Sequence, residues 1–527
     1  MVPLKDTLSV AKFCLRVLAI LIYSASSVHA QSLVHQFSLN GGGSEPAIGA
    51  KFGWSLAVAN DRVAIGSPHY NDQYGRVAYH ALDGQGGSEL LSYCRDNLVN
   101  GSGTNPIQQR FGASVATDGD WVVVGNCSPF GTTQYCNDQA DRVLVYQYVG
   151  DTLQGYQSIT SPAAGGSFGK AIAIEDDLVV IGGARSYVNG GWRDVVYLYQ
   201  RSGALWPTQP TDSLVVSDAL GTESFGHALA LKNGVLLVGA SADSELATGC
   251  GAAYLFGREE NGTDAWELIR KLLPSNGLAG DEFGTAVALS GERCVVGAPD
   301  RSVDGVHAGA AYVFDRDQGF PGNWGEVAYL EPIGEPVANM DHGASVAIGP
   351  DRIAIGAPQH AISASGTDGS VHVHERVAGE WAPMQRIVPY FDGVINAVGR
   401  AGTSLAFHQG QLLIGAPWAI DLGQTPPSPV PTGVVLVYDE GVVGLAEQAQ
   451  SRFQLWPNPV ADRLFFSGAS GTVANLRVYD MQGRQLVHDR VDPRAGSVDV
   501  IGLDSGSYFV VLEGPDGDRV IRPFIRE

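Results

Sequence analysis

Apolar and polar residues follow one another over residues 282–314 in a pattern that predicts three short strands. Residues 285–289 alternate between the two kinds, and the Ser290-Gly291 pair that follows favours a tight turn. A more continuous apolar strand at 293–297 leads into the sequence Gly-Ala-Pro, and residues 310–314 form a third strand after a polar loop. The stretch is therefore predicted to be a small antiparallel unit.

The same pattern occurs seven times, with consecutive copies 57 to 59 residues apart. The copies begin at Phe52, Phe111, Phe168, Phe225, Phe283, His342 and Ala401. In most copies the first strand opens with Phe-Gly, and the second strand ends in a glycine followed by a small residue, as in Gly-Ala-Pro. A period this regular indicates a repeat architecture and is far more specific than any single motif.

A fourth strand-like segment separates the copies, and Trp266, Trp324 and Trp381 begin three of these segments. Four-stranded blades repeated around an axis form a β-propeller, which closes on itself and leaves no open sheet edge. The Phe-Gly and Gly-Ala-Pro sequences resemble the FG-GAP repeats of integrin-alpha-type β-propellers over roughly residues 33–440. This resemblance implies an all-β fold in which residues 31–440 form a seven-bladed propeller.

The seventh copy lacks a fourth strand of its own, since no apolar segment follows residues 434–438 before the sequence changes character. Residues 33–39, which precede the first copy, alternate in the manner of an outer strand. We therefore predict that this N-terminal strand completes the last blade and closes the ring.

Residues 1–30 have the features of a secretory signal peptide. Lys5, Lys12 and Arg16 come first, an apolar run at 17–23 follows, and small residues precede the end at Ala30. The apolar run is too short to cross a bilayer, and no later stretch is long and apolar enough to do so. The mature chain is expected to begin at Gln31.

After a predicted linker at 441–451, residues 452–527 change to a series of closely spaced short strands, which indicates a small β-sandwich. Three motifs occur in order, and their landmark residues are Pro457, Asn458, Pro459, Asp480, Gly483, Gly506 and Tyr508. They resemble the C-terminal sorting domain of the type IX secretion system. The resemblance implies contact with that machinery and export across the outer membrane of a Bacteroidota-type bacterium, with the domain removed or kept and the protein anchored or released.

The net charge of −22 predicts an acidic exported protein that repels nucleic acid and anionic membranes.

Of the six cysteines, Cys127 and Cys136 bracket one loop and are the candidate disulfide pair. Cys294 lies within a strand, where other copies carry Val or Leu, and is expected to be a small buried apolar residue.

The candidate binding face carries the loops between second and third strands, because these loops are the longest and hold most of the exposed-type aromatic residues. The candidate ligand contacts on this face are Tyr70, Tyr74, Tyr187, Trp192, Arg301, His360 and Trp418. The opposite face consists of short turns between first and second strands, which are expected to offer little for a ligand to contact. Those turns are also too short to provide the oxygen ligands that calcium needs, so no metal site is predicted there, and Asp300 and Asp304 in one longer loop remain the alternative. No cofactor is predicted.

Two classes of function remain. The preferred one is a non-enzymatic binding or adhesion protein, secreted or held at the cell surface, with a glycan or protein ligand. The alternative is an extracellular hydrolase or lyase with its site in the axial funnel, where carboxylates such as Glu282 and Asp341 could act as acid and base. No known catalytic motif is present, so no catalytic residue is assigned. Propellers host both classes, and the fold does not choose between them.

Overall fold

The structure is a computed structural model of the 527-residue chain. It describes residues 33–39, 50–70, 75–82, 88–94, 110–125, 142–149, 152–163, 167–186, 192–216, 224–258, 265–318, 322–362, 367–389, 399–419, 433–440, 454–456, 460, 462–467, 474–480, 485–491, 495–513 and 519–526. The predicted signal peptide, the linker and the Cys127–Cys136 pair lie outside these residues.

The strands are numbered in chain order. The first seventeen are β1 (Leu33–Leu39), β2 (Ser55–Ala59), β3 (Arg62–Ser67), β4 (Arg76–Leu82), β5 (Ser88–Cys94), β6 (Ser114–Thr117), β7 (Trp121–Gly125), β8 (Arg142–Val149), β9 (Thr152–Thr160), β10 (Ile172–Glu175), β11 (Leu178–Ser186), β12 (Trp192–Gln200), β13 (Asp212–Leu214), β14 (Phe225–Lys232), β15 (Val235–Ala240), β16 (Ala252–Arg258) and β17 (Trp266–Leu272). The next thirteen are β18 (Ala286–Ser290), β19 (Arg293–Ala298), β20 (Ser302–Val303), β21 (Val306–His307), β22 (Ala310–Asp315), β23 (Gly325–Leu330), β24 (Ser345–Ile348), β25 (Arg352–Ala357), β26 (Ser370–Val377), β27 (Glu380–Ile387), β28 (Ser404–His408), β29 (Gln411–Ala416) and β30 (Val434–Glu440).

Within the described residues these strands form seven four-stranded antiparallel sheets, and the predicted all-β fold is confirmed. In spatial order they are sheet 1 (β2-β3-β4-β5), sheet 2 (β6-β7-β8-β9), sheet 3 (β10-β11-β12-β13), sheet 4 (β14-β15-β16-β17), sheet 5 (β18-β19-β22-β23), sheet 6 (β24-β25-β26-β27) and sheet 7 (β28-β29-β30-β1). The three strands predicted for residues 282–314 are β18, β19 and β22. The polar loop between the last two contains a further small hairpin, β20 with β21.

The seven sheets follow one another around a ring. The first strand of each sheet packs beside the first strand of the next, and β28 of sheet 7 packs beside β2 of sheet 1. An apolar cluster fills the space between each pair of neighbouring sheets, including one that joins Phe52 and Ile65 of sheet 1 to Leu413 and Val435 of sheet 7. This arrangement is that of a β-propeller, with the first strands innermost.

The N-terminal strand closes the ring as the sequence predicts. β1 pairs antiparallel with β30, with Leu33 opposite Glu440 and Leu39 opposite Val435. A separate parallel bridge joins Phe52 of sheet 1 to Gly433 of sheet 7. The outer strand of sheet 7 therefore comes from the opposite end of the propeller sequence.

Glycines allow neighbouring sheets to approach closely near the axis. A Cβ atom placed on the second-strand glycine of any sheet would lie less than 3.0 Å from the carbonyl oxygen of the Phe-Gly-type glycine in the next sheet. The seven pairs are Gly66–Gly112, Gly125–Gly169, Gly182–Gly226, Gly239–Gly284, Gly297–Gly343, Gly356–Gly402 and Gly415–Gly53. Because any side chain would push the two backbones apart, the repeated glycines are explained by this contact.

Serine hydroxyls reinforce four of these contacts. Ser55, Ser114, Ser345 and Ser404 each donate a hydrogen bond of 2.6–2.9 Å to the same glycine carbonyl in the next sheet. The last of these, from Ser404 to Gly53, crosses from sheet 7 to sheet 1. The closing pair of sheets is therefore held by the same hydrogen bond as three other pairs.

Aromatic pairs fill the core beside these glycines. In five sheets the buried Phe of the Phe-Gly sequence packs against a ring on the third strand, with ring centroids 6.1–6.4 Å apart; the pairs are Phe52–His80, Phe111–Tyr146, Phe168–Tyr199, Phe225–Phe256 and Phe283–Phe314. In sheet 6 histidines replace these rings. His342 stands at the Phe position, and β26 carries His372 and His374 where β22 has Tyr312 and Phe314.

The C-terminal strands are β31 (Gln454–Trp456), β32 (Arg463–Ser467), β33 (Ala474–Asp480), β34 (Gln485–Val491), β35 (Ala495–Asp499), β36 (Gly506–Glu513) and β37 (Arg519–Arg526). They form a three-stranded sheet in the order β31-β32-β35 and a four-stranded sheet in the order β34-β33-β36-β37. An apolar cluster that includes Leu464, Leu476, Val498 and Val510 joins the two sheets. This region has its own core, as the predicted β-sandwich requires.

Candidate ligand-binding site

Seven residues, one from each sheet, surround one end of the axis; we call them the rim residues. They directly precede the Phe-Gly position and are Lys51, Arg110, Ser167, Ser224, Glu282, Asp341 and Arg400. Each has a left-handed backbone, with φ between 45° and 60°, and its carbonyl accepts a hydrogen bond from the backbone nitrogen three residues later. Each rim residue therefore begins a tight turn into an inner strand, which places it at the mouth of the axial channel.

The loops between second and third strands lie beside the rim. The backbone nitrogen of His69 donates to the carbonyl of Ala50, and that of Trp418 donates to the carbonyl of Gly399. The same kind of contact joins Gln359 to Met340. The structure thus brings the long loops and the rim onto one face, as expected for an antiparallel blade.

Charge is distributed unevenly around the rim. Arg400, Lys51 and Arg110 occupy three consecutive sheets, numbers 7, 1 and 2. Serines occupy sheets 3 and 4, and Glu282 and Asp341 occupy sheets 5 and 6. The mouth of the channel therefore has a basic side and an acidic side.

Two tryptophans accompany the basic side. Lys51 Nζ lies 3.8 Å from the centre of the Trp418 ring, and Arg400 Cζ lies 4.3 Å from it. The ring centroids of Trp54 and Trp418 are 5.4 Å apart, with a tilt of 41° between the planes, and His69 lies 6.0 Å from Trp54. All of these side chains are half-buried. We call the six residues Lys51, Trp54, His69, Arg110, Arg400 and Trp418 the cationic cluster.

Burial, and after it the proximity of other cations, lowers the pKa values of two groups in the cluster. Burial and the nearby Arg400 lower the pKa of Lys51 to about 8. Burial, Arg110 and Lys51 lower the pKa of His69 to about 4. No described carboxylate forms an ion pair with Lys51 or Arg400. Both of these cationic side chains stack on the Trp418 ring instead. Three cationic side chains, those of Lys51, Arg110 and Arg400, are therefore concentrated in this cluster.

The acidic side shows the converse effect. Burial and the nearby Asp300 raise the pKa of Asp341 to about 6, although Arg400 opposes the change. Burial, Asp300 and Asp341 also raise the pKa of Glu282. Within the described residues no group of His, Cys, Asp or Glu is arranged to hold a metal ion.

The predicted contact residues have different surroundings. Trp418 belongs to the cationic cluster, and the Tyr70 ring lies over the buried Arg76 guanidinium at 4.0 Å, next to His69. Trp192 begins β12, but its side chain, like all of Tyr74 and Tyr187, lies outside the described residues.

Arg301 and His360, two of the candidate ligand contacts, are buried. The Arg301 guanidinium donates to the Asp281 carboxylate at 3.1 Å, and both side chains are buried. The imidazole of His360 lies 2.7 Å from the hydroxyl of Ser370. A loop on this face has one side exposed to solvent and one side packed on the blade. These two side chains lie on the packed side, where each has a polar partner.

Sequence reasoning did not select Lys51, Trp54, Arg110 or Arg400. Glu282 and Asp341 stand out in the sequence only as single carboxylates, whereas the position before the Phe-Gly sequence carries a charged residue in five of the seven repeats. The succession at this position is Lys, Arg, Ser, Ser, Glu, Asp, Arg. This succession is the signal that could have identified the basic side of the mouth.

The opposite face is not featureless, contrary to expectation. A cavity of about 510 Å³ opens there among Ser290, Arg352, Glu375, Phe407 and His408, which come from sheets 5, 6 and 7. Gly349, Pro350 and Gly410 in the turns also line this space. Arg352 forms a 3.2 Å ion pair with Glu375, so these two lining charges are matched, and Asp351 adds a further carboxylate to the lining. Cys294, in β19, is buried as predicted.

Comparison with known families agrees with both parts of the chain. The model of the FG-GAP repeat matches residues 210–256 and 266–314. The model of the secretion system C-terminal sorting domain matches residues 454–525. The chain contains FG-GAP repeats and a sorting domain. The sorting domain is of the type IX secretion kind, so the protein is exported and is secreted or located at the cell surface.

Other comparisons add little. No curated protein sequence matches the chain. Among solved structures, it is similar to the crystal structure of a putative 6-phosphogluconolactonase from Bacteroides uniformis. The similarity has 13% identity and a TM-score of 0.42, and it covers 64% of this chain and 85% of the other.

The sorting domain places its described landmark residues in one sheet. Asp480 ends β33 and pairs in register with Tyr508 of β36, and Gly506 begins that strand. The Tyr508 side chain is buried, and its hydroxyl donates to the carbonyl of Asp504 at 2.7 Å. The other four landmark residues, Pro457, Asn458, Pro459 and Gly483, lie outside the described residues. In the part of the chain that the structure describes, no helix is long and apolar enough to span a membrane.

Proposed function

We propose that the exported propeller is a binding protein that contacts an extracellular glycan or protein through the face carrying the rim and the long loops. The observation that supports this proposal is the cationic cluster, in which two half-buried Trp rings and three cations gather at the mouth of the channel. Flat aromatic rings beside Arg are the commonest anchors of binding surfaces. Sorting and binding are separate tasks, since residues 454–525 act as the address for the secretion machinery.

The test is a screen of the purified mature protein against glycan and matrix-protein arrays, followed by substitution of the proposed anchor. We expect Trp418→Ala to weaken binding of the selected ligand by about 2 kcal/mol or more, roughly 30-fold, because it removes the ring that contacts both Lys51 and Arg400. Affinity can be measured by titration calorimetry.

Trp266→Ala is the matched control. Trp266 is also half-buried and also has a cationic neighbour, since Arg258 Cζ lies 5.4 Å from its ring centre, but it begins the outer strand β17. A loss of affinity in this variant, with Trp418→Ala unaffected, would move the binding surface away from the rim. Carboxylates in the short turns of the opposite face would be less suitable controls. Asp61 and Asp177 have side-chain partners, and Asp351 lines the cavity of that face.

The enzymatic alternative is supported by Asp341, because a carboxyl group with a pKa of about 6 can donate a proton near neutral pH. Glu282 and Asp300 are electrostatically coupled to this carboxyl group and could take part in the same proton transfer. The array experiment separates the two functions. A ligand recovered intact after long incubation favours binding, and a ligand recovered in fragments favours a hydrolase or lyase.

A further inference from the structure

We propose that the cationic cluster recognises a short anionic glycan, whose sugar rings pack on Trp418 and Trp54 while their carboxylate or sulfate groups contact Lys51, Arg400 and Arg110. This inference rests on the proposed function and specifies its ligand. The two anionic groups share the same chemistry, in which an oxyanion accepts charge-assisted hydrogen bonds from ammonium and guanidinium groups.

The charges of the cluster favour an anionic ligand. The chain has a net charge of −22, yet three consecutive rim positions are cationic. Lys51 and Arg400 form no ion pair with a described carboxylate, and burial together with repulsion from the nearby Arg400 disfavours the charged form of Lys51. A bound oxyanion would relieve this repulsion. The repulsion between cations in the free protein would therefore contribute to the free energy of binding.

The geometry of the cluster favours a ligand that contains sugar rings. The two Trp rings are inclined by 41° with centroids 5.4 Å apart, and Lys51 and Arg400 both lie over Trp418 within 4.3 Å of its centre. The cluster therefore alternates flat apolar surfaces with cationic groups over a few ångströms. A sugar acid has the same alternation, because each ring has an apolar face of C–H groups and carries an anionic substituent at its edge. An acidic peptide has closely spaced charges without a flat ring between them.

The rest of the mouth limits the length of the ligand. Glu282 and Asp341 stand on the other side of the channel, and Asp300 lies near both. A long polyanion would have to cross these carboxylates, which would repel it. A short oligosaccharide that stays on sheets 7, 1 and 2 avoids them.

The experiment measures binding of the mature protein to an oligouronate, a sulfated oligosaccharide of the same length, a neutral oligosaccharide and oligoglutamate. We expect one or both anionic glycans to bind, with an affinity that falls as salt is added. The double substitution Lys51→Gln with Arg400→Gln should weaken that binding at least 10-fold and flatten its salt dependence. The charge-preserving pair Lys51→Arg with Arg400→Lys should retain most of it, which also shows that the site folds.

The matched control is Lys232→Gln with Arg316→Gln, which removes the same charge from two exposed side chains near the turns of the opposite face. It should leave binding within about 2-fold of the wild type, since surface charges at a distance are screened by salt. Equal losses in both double variants would mean that net charge, and not the cluster, controls binding.

The remaining outcomes separate this inference from the proposed function. If a neutral glycan or a protein binds and the Lys51/Arg400 variant binds it equally well, the anionic-glycan inference is wrong and the propeller is still a binding protein. Binding of oligoglutamate as tight as that of the anionic glycans would show that a peptide is the ligand class. The absence of any ligand in these assays and in the arrays would overturn both.

Discussion

Gly297→Ala is expected to destabilise the propeller by about 3 kcal/mol or more, which is the largest single-residue effect on packing that we anticipate. A Cβ atom at this position would lie less than 3.0 Å from the carbonyl oxygen of Gly343 in the next sheet. The obstacle is backbone and not a flexible side chain, so sheets 5 and 6 would have to separate. The free energy of unfolding can be measured by urea titration with tryptophan fluorescence.

Gly203→Ala is the control for this variant. Gly203 has an ordinary φ, and nothing lies within 4 Å of an added Cβ atom. This substitution should change stability by less than about 1 kcal/mol and could increase it slightly, because alanine restricts the unfolded chain. If both glycines tolerated alanine equally, the close approach of the inner strands would not be what requires glycine.

Acid should destabilise the protein through the buried histidines of sheet 6. His342, His372 and His374 are buried, and within the described part of the chain neither ring nitrogen of His342 or His374 has a hydrogen-bond partner. Burial lowers the pKa of His374 to about 4, and burial with the neighbouring histidines lowers the pKa of His342 and His372 well below the usual value. The folded protein therefore keeps these rings neutral.

The direction of the pH effect follows from these pKa values. In the unfolded chain a histidine titrates near pH 6.5, so between pH 6.5 and about 4 the unfolded state binds a proton that the folded state does not. The stability that the neutral, buried histidines provide is fully present above pH 6.5. It decreases as the pH falls from 6.5 towards 4. For His374 the expected loss at pH 5 is about 2 kcal/mol, and it approaches about 3 kcal/mol near pH 3.

Two reciprocal substitutions test this effect. His374→Phe restores the residue that sheet 5 has at the same position and should reduce the loss of stability between pH 7.5 and pH 5 by about 2 kcal/mol. Phe314→His introduces a buried histidine into sheet 5 and should increase the loss by a similar amount. Urea titrations at the two pH values give the comparison, and an unchanged pH dependence in both variants would exclude the buried rings as its source.

The sequence predicted the sheets and the closure of the ring because both depend on local periodicity. A strand and its turn are encoded within ten or so residues, and the seven copies repeat the same signal. Leu33–Leu39 could be predicted to complete the last blade because the seventh copy has only three strands of its own, whereas the other copies have four. These features required no knowledge of how side chains pack.

The candidate binding site is harder to predict because it depends on contacts between distant residues. Lys51 and Trp418 are far apart in the chain and meet only because sheet 7 lies beside sheet 1. Residue type alone also could not distinguish Trp418, which is half-buried at the rim, from Arg301, which is buried against Asp281. The repeats locate a loop on a face, but the partners of each side chain decide whether it remains accessible.

From the pairing of β1 with β30 we expect that the covalent order of the strands is not essential to the ring. Leu33 lies opposite Glu440, so the two ends of the propeller are adjacent and a short peptide could join them. The turn at Ala378 and Gly379 is exposed, and an added Cβ on Gly379 would meet nothing within 4 Å. A circular permutant opened at this turn would begin with β27, which would then close sheet 6 in the same way that β1 closes sheet 7.

We expect this permutant, with the sorting domain kept at its C-terminus, to fold with a melting temperature within a few degrees of that of the parent protein. Circular dichroism on heating would measure it, and failure to fold would show that the native chain ends have a role beyond supplying the outer strand. Success would mean that sheet 6 can close the ring with strands from both ends of the chain, as sheet 7 does in the native protein.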